Sequence, residues 1–193
     1  AHRLKQLTGA PILYDQLDSG RSDHPTNPAN WTVARFTDEV DAVRRAVGVP
    51  RWHVLGGSWG GTIALEYGAR RPRELAGLVL ASPLISTRSW IADADALRAQ
   101  LPAAVQATLR QCDPPAPVTP ACEDATKVYY ANFNRRDPAT EAMTEYSRLH
   151  GGAGFNADLY NAMWGSSEFV STGTLKDYDG EPLLTKLDGP HTL

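Results

Sequence analysis

The chain has no surplus of positive charge. Its 193 residues carry 19 Lys and Arg against 22 Asp and Glu, a net charge of −3. Nucleic-acid binders carry a basic footprint, so nucleic acid is not an expected partner. Long apolar runs are also missing. The longest lies near Leu75–Ala81 and is interrupted by Gly77, well short of the ~18 residues that span a bilayer. The opening AHRLKQLTGA lacks the charged-then-apolar layout of a secretory leader. No membrane partner and a cytoplasmic location are therefore expected. Cysteine is scarce, with only Cys112 and Cys122 flanking the proline-rich QCDPPAPVTPAC. Two free thiols in a reducing compartment are the expected state, and a loop-closing disulfide is the alternative. No further ligands stand near them, so no zinc site is expected. Asn30-Trp31-Thr32 is a glycosylation sequon, meaningful only on a secreted protein.

What is present is globular. Apolar residues make up 42% and charged residues 21%, which argues against disorder. The length suits one domain, or one domain with an appended lobe.

Hydrophobic periodicity then divides the chain. PILYDQ at 11–16 reads as a short buried strand. Residues 17–31 gather Gly, Ser, Asp, Asn and Pro and read as a loop. Phe36, Val40, Val43 and Val47 recur at helical spacing, with Thr32 as cap and Gly48 with Pro50 as stop. RWHVLGG is a second strand, SWGGTIALEYGARRP a helix, and LAGLVLASP a third strand. Alternation of apolar strands with helices implies an α/β fold with a parallel sheet. Beyond Pro83, residues 88–111 and 123–149 read as helices around the proline loop. Residues 151–174 are rich in Gly, Ser and aromatics. A strand signal returns only at Pro190-His191-Thr192-Leu193. The expected organisation is a partial core at 1–85, an inserted helical cap at 86–174 and a return to the core at 175–193.

One motif carries chemistry. Gly56-Gly57-Ser58-Trp59-Gly60 matches G-x-S-x-G between a strand and a helix. That context is the nucleophile elbow of the α/β-hydrolase fold. A sharp turn presents the Ser58 hydroxyl at a helix N-terminus, and the Trp59 N–H faces a developing oxyanion. A serine needs a base, and this fold orders its triad Ser, Asp or Glu, His. None of the histidines fits that order well. His24 lies in the early loop, His53 in the strand before Ser58 with its ring expected in the core, and His150 in the helical lobe. His191 sits in a strand start. His150-Gly151-Gly152-Ala153-Gly154 looks like an oxyanion loop but follows the nucleophile instead of preceding it. It reads better as a flexible glycine loop.

Tyr14-Asp15-Gln16 with Gly20-Arg21-Ser22, and then Gly56-Gly57-Ser58-Trp59-Gly60-Gly61, resemble the proline iminopeptidases of the α/β-hydrolase superfamily. Met163-Trp164-Gly165-Ser166-Ser167-Glu168-Phe169 and Thr172–Tyr178 are similar to their cap. The resemblance implies a serine hydrolase that releases an N-terminal residue, often proline, from short peptides without metal or cofactor. Ser58 takes the nucleophile's role and Trp59 the oxyanion's. Glu168 matches an acidic side chain that holds the substrate's free α-ammonium, and a cap-stabilising ion pair is the alternative. Trp164 and Phe169 are candidates for a proline-ring pocket, or for lobe core. The family's His-Gly-Gly-Pro-type loop, its triad Asp and its triad His find no match here. The resemblance therefore implies an internal fragment that folds poorly and hydrolyses little by itself. Oligomeric state stays open.

Two rivals stand beside this reading. An esterase shares the core, whereas epoxide and haloalkane hydrolases place Asp where Ser58 stands. A non-catalytic relative that binds a ligand or partner accounts for the missing base, but it has no use for a strained serine.

Overall fold

A computed structural model describes residues 11–134 and 137–187. Its first regular helix, α1, runs Val33–Ala46, and the Thr32 side chain accepts from the Arg35 N–H as its cap. The helix ends where Gly48 takes φ +69°, a conformation open to glycine at little cost. Strand β1 (Trp52–Gly57) leads through Ser58 into α2 (Trp59–Ala69), and β2 (Leu75–Ala81) follows. The two strands pair in parallel, from His53 opposite Gly77 to Gly57 opposite Ala81. The packed side of this unit is apolar. Phe36, Val40, Ile63, Tyr67 and Leu75 bury together with Trp31, Leu84, Met163, Trp164 and Leu175.

The stretch 11–16 is not a strand. It runs into a turn, where the Gln16 carbonyl accepts from Ser19 N–H and the Leu17 N–H donates to Glu39. Among the described residues no strand lies beside it, and Ile12 and Leu13 are exposed. His53 is exposed as well, not packed in the core. It shares one face of the sheet with Leu55, which is 49% exposed, because no described element covers that face.

Among the described residues β2 is followed by α3 (Thr87–Arg98), α4 (Ala103–Gln111), α5 (Pro120–Phe133), α6 (Glu141–His150) and α7 (Ala157–Met163). Each expected long helix is thus two. Pro102 separates α3 from α4, and the segment containing Pro138 separates α5 from α6, since proline lacks the N–H a helix needs. Residues from both ends of this helical segment meet. Ser86 bridges Asp179, and Thr87 N–H donates to the Tyr178 carbonyl. A short helix α8 (Glu181–Leu184) follows. The helices enclose a second apolar cluster of Ala94, Leu101, Leu109, Ala125, Tyr129 and Phe169.

Cys112 and Cys122 are joined in a disulfide, contrary to the expected free thiols. Cys112 caps the end of α4 and Cys122 lies in the first turn of α5. The proline loop between them brings their Cα atoms to 5.7 Å, within bonding geometry. Among the described residues no helix is long and apolar enough to cross a membrane. The expected strand start at His191–Leu193 lies outside the described residues.

Candidate active site

The turn at Ser58 is built from backbone sterics. Ser58 takes φ +52° and ψ −124°, a region that L-residues avoid and that persists only when surroundings enforce it. The enforcement is visible. Ser58 N–H donates to the Ala81 carbonyl at 2.9 Å, and its carbonyl accepts from Gly61 N–H at 2.8 Å. A Cβ on Gly56 would lie 2.0 Å from the Gly60 carbonyl oxygen, so only glycine lets strand and helix close this tightly. The Ser58 side chain makes no cap for α2, and the first N–H groups of a helix lack intrahelical partners. The Trp59 N–H therefore belongs to an unfilled helix N-terminus, which favours negative charge.

Ser58 opens on a cavity of about 340 Å³. Its apolar wall includes Leu84, Trp90, Leu159, Met163 and Trp164. The elbow, the 16–19 loop, α7 and the 164–168 segment all contribute to the lining. Trp164 is buried, stands edge-on to Trp90 at 6.0 Å, and donates its indole N–H to the Ser167 carbonyl.

Glu168 is the acidic group on this wall. Its Oε1 accepts from the Tyr130 hydroxyl and, at 3.1 Å, from the Tyr160 hydroxyl. Its Oε2 has no hydrogen-bond partner among the described residues. Burial pushes both phenols far up, and the neighbouring Glu168 carboxylate adds to it. Both tyrosines accordingly stay protonated and serve as donors. Glu168 also borders a second cavity of about 350 Å³, whose wall includes Tyr130, Lys127 and the disulfide.

Phe169 does not line the Ser58 cavity. It packs in the second cluster against Tyr129 at 5.0 Å, with the Arg98 guanidinium 4.2 Å above its ring. Arg98 also pairs with Asp113 at 2.8 Å, and Asp113 accepts from the Ser167 hydroxyl at 3.1 Å. The residues on either side of Glu168 are thus clamped while its carboxylate stays on the cavity. The 150–154 stretch is likewise no oxyanion loop. His150 ends α6 with its ring tilted against Tyr146, and the segment pairs with Gly20 through Ala153 N–H and the Gly154 carbonyl. His24, His53 and His150 are absent from the cavity wall.

Sequence reasoning missed Gln16, Tyr130 and Tyr160. Gln16 lines the cavity and accepts from the Trp59 indole N–H at 3.0 Å. Tyr14 next to it is pushed up to about 12 by desolvation first and the Glu39 carboxylate second, and a hydrogen bond with Gln16 opposes the rise. A polar residue inside a resemblance motif was the available signal for Gln16. Tyr130 lies 38 positions from Glu168, and no local pattern links them.

A family model described as the alpha/beta hydrolase fold matches residues 11–168. The proline iminopeptidase of Heyndrickxia coagulans is 34% identical over 182 residues, covering 93% of this chain and 62% of that protein. The proline iminopeptidase of Levilactobacillus brevis is 34% identical over 190 residues, covering 97% of this chain and 63% of that protein. The crystal structure of a proline iminopeptidase from Mycobacterium smegmatis superposes with a TM-score of 0.75 at 32% identity, over 90% of this chain and 58% of that one. The chain spans about three fifths of the length of these curated relatives.

Proposed function

The chain belongs to the α/β-hydrolase fold family, and from that premise we propose that Ser58 is the nucleophile of a serine aminopeptidase acting on short peptides with a free N-terminus. The observation that carries this reading is the strained Ser58 facing the cavity that also holds Glu168. Ser58 Oγ bonds to the carbonyl carbon of the substrate's first residue, and its proton passes to a base. The Trp59 N–H steadies the oxyanion. The C–N bond then breaks, the shortened peptide leaves as an amine carrying a proton, and water hydrolyses the acyl-enzyme. No described histidine lines the cavity to act as that base. Glu168 Oε2 receives the α-ammonium in a charge-assisted hydrogen bond, and Trp164 lends an apolar wall to the first side chain. Proline as the first residue is part of this reading, in line with the relatives' names.

Residues 86–174 serve as the cap in this scheme, between core segments at 1–85 and 175–193. A cytoplasmic site suits a processor of short peptides. The Cys112–Cys122 pairing weighs against it, because disulfides persist mainly in oxidising compartments. An esterase is the second reading, favoured by the largely apolar cavity wall.

Substrate choice separates the two. Ser58→Ala should abolish fluorophosphonate labelling of the whole encoded protein. Glu168→Gln should lower kcat/KM for proline p-nitroanilide by about ten- to a hundredfold, the scale of one lost charged hydrogen bond. It should affect p-nitrophenyl acetate far less. Equal losses on both substrates would favour the esterase.

A further inference from the structure

Tyr14-Asp15-Gln16 and Gly20-Arg21-Ser22 take no part in the chemistry above, yet they form a densely bonded loop. Asp15 accepts from Arg21 N–H at 3.1 Å, and its carbonyl accepts from the Ser22 hydroxyl. Gly20 takes φ +55°, and a Cβ there would sit 2.5 Å from the Asp15 carboxyl carbon. Asp18 is fully buried, with one oxygen accepting from Thr26 N–H at 2.7 Å and the other from the Trp31 indole at 2.8 Å. A buried carboxylate satisfied in this way holds its surroundings in one arrangement.

Two arms leave this loop. Gln16 Oε1 holds the Trp59 indole at 3.0 Å, next to the nucleophile. On the other side, the Asp18 carbonyl accepts from Asn156 Nδ2 at 2.9 Å, and the Gly20 carbonyl accepts from Ala153 N–H at 2.8 Å. Asn156 Oδ1 caps α7 at Leu159 N–H. Helix α7 carries Tyr160, which holds Glu168. A continuous bonded path therefore runs from the residue beside Ser58 to the acid that lines the same cavity, without passing through the sheet.

Removing a single N-terminal residue sets a strict spacing. The α-ammonium and the scissile carbonyl of one residue are two bonds apart, and a misplacement of about 1 Å costs on the order of a hundredfold in rate. We propose that the 15–24 loop is the gauge that fixes this spacing, with Gln16 in the loop and Asn156 at the start of α7 as the positioning residues on its two arms. The proposal rests on Ser58 as nucleophile and Glu168 as ammonium anchor, and it adds the part that makes the pair selective for one residue.

Asn156→Ser tests the far arm. Serine still caps α7 but is too short to reach the Asp18 carbonyl. In the whole encoded protein, the ratio of kcat/KM for proline p-nitroanilide over p-nitrophenyl acetate should fall about tenfold, through KM. If this variant fails to fold, Asn156→Asp caps as well and also lacks the donor. Its KM should rise despite the added carboxylate. Gln16→Leu tests the near arm. It should lower kcat about tenfold on both substrates, and Gln16→Glu, which restores an acceptor for Trp59, should recover most of the loss. A specificity ratio within twofold of wild type in the Asn156 variants overturns the gauge. So does a Gln16→Glu protein as slow as Gln16→Leu. If the unaltered protein shows no preference for a free over an acetylated N-terminus, the anchor reading falls and takes the gauge with it. A preference present in wild type and kept in the variants overturns the gauge alone.

Discussion

The strand-bearing region and the helical region position their functional groups by different means. At Ser58 the backbone sets the position: a positive φ, a carbonyl from β2, an N–H from α2, and a glycine where a Cβ would meet a carbonyl oxygen. At Glu168 the side chains do it. Two tyrosine hydroxyls hold the carboxylate, a guanidinium covers the next ring, and an aspartate ties the preceding serine. Glu168 also lies at a seam, because Trp164 belongs to the first apolar cluster and Phe169 to the second. A group set by backbone sterics tolerates almost no change at a few positions. A group set by side chains tolerates graded change at many, so its preference can drift while the nucleophile stays fixed.

Gly56→Ala puts the first half of that contrast at greatest risk. The new Cβ meets backbone 2.0 Å away and no flexible side chain can yield. The loss should reach about 3 kcal/mol or more, read by chemical denaturation, with fluorophosphonate labelling lost in parallel. A loss under about 1 kcal/mol would mean the turn is looser than its contacts imply.

Asp113→Ala probes the second half, with a smaller effect. The Arg98 side chain is only 10% exposed, and Asp95, its remaining partner, is half exposed. Stripping one partner from a buried charge costs about 3–5 kcal/mol, and the surviving pair should hold the loss near 2 kcal/mol. Because Ser167 also loses its acceptor, KM for proline p-nitroanilide should rise severalfold while kcat changes little. An equal fall in kcat would mean that Asp113 supports the nucleophile too and that the two regions are not separable.

The same contrast explains what the sequence could reveal. Helix α1, both paired strands and the elbow were legible because their signals are local: a capping threonine, apolar runs, and glycines flanking a serine. The α/β-hydrolase fold followed from that order. The 11–16 stretch misled because an apolar run carries no information about a neighbouring strand. Phe169 is ambiguous in the sequence because an aromatic beside a functional acid looks the same whether it faces the cavity or the lobe's own core. The thiols misled because pairing depends on how α4 and α5 return on each other, which a ten-residue separation does not encode. Tyr130 was hidden by distance along the chain, and Gln16 by having a motif but no assigned role.

Glu39 offers the smallest effect and a test at the boundary, since it is a side-chain device inside the backbone-built region. It is 8% exposed on α1, accepts from Leu17 N–H at 3.4 Å, and has Arg35 at 3.8 Å. Burial pushes its carboxyl up, against the lowering effects of the Leu17 bond and of Arg35. A carboxyl raised on folding contributes stability that is fully present below its unfolded value, near 4.5, and lost as pH climbs through the folded value. Above the folded value the ionised Glu39 therefore works against the fold. Glu39→Gln keeps an acceptor for Leu17 and removes the charge. Its melting temperature should exceed wild type at pH 7 by the equivalent of about 1 kcal/mol or less, the Leu17 bond and the Arg35 charge limiting the gain. The difference should vanish by pH 4, where wild type is itself largely protonated. A glutamine variant that melts lower at pH 7 would show that the Arg35 pairing outweighs burial. Side-chain electrostatics would then brace the 15–24 loop and, through Gln16, the elbow itself.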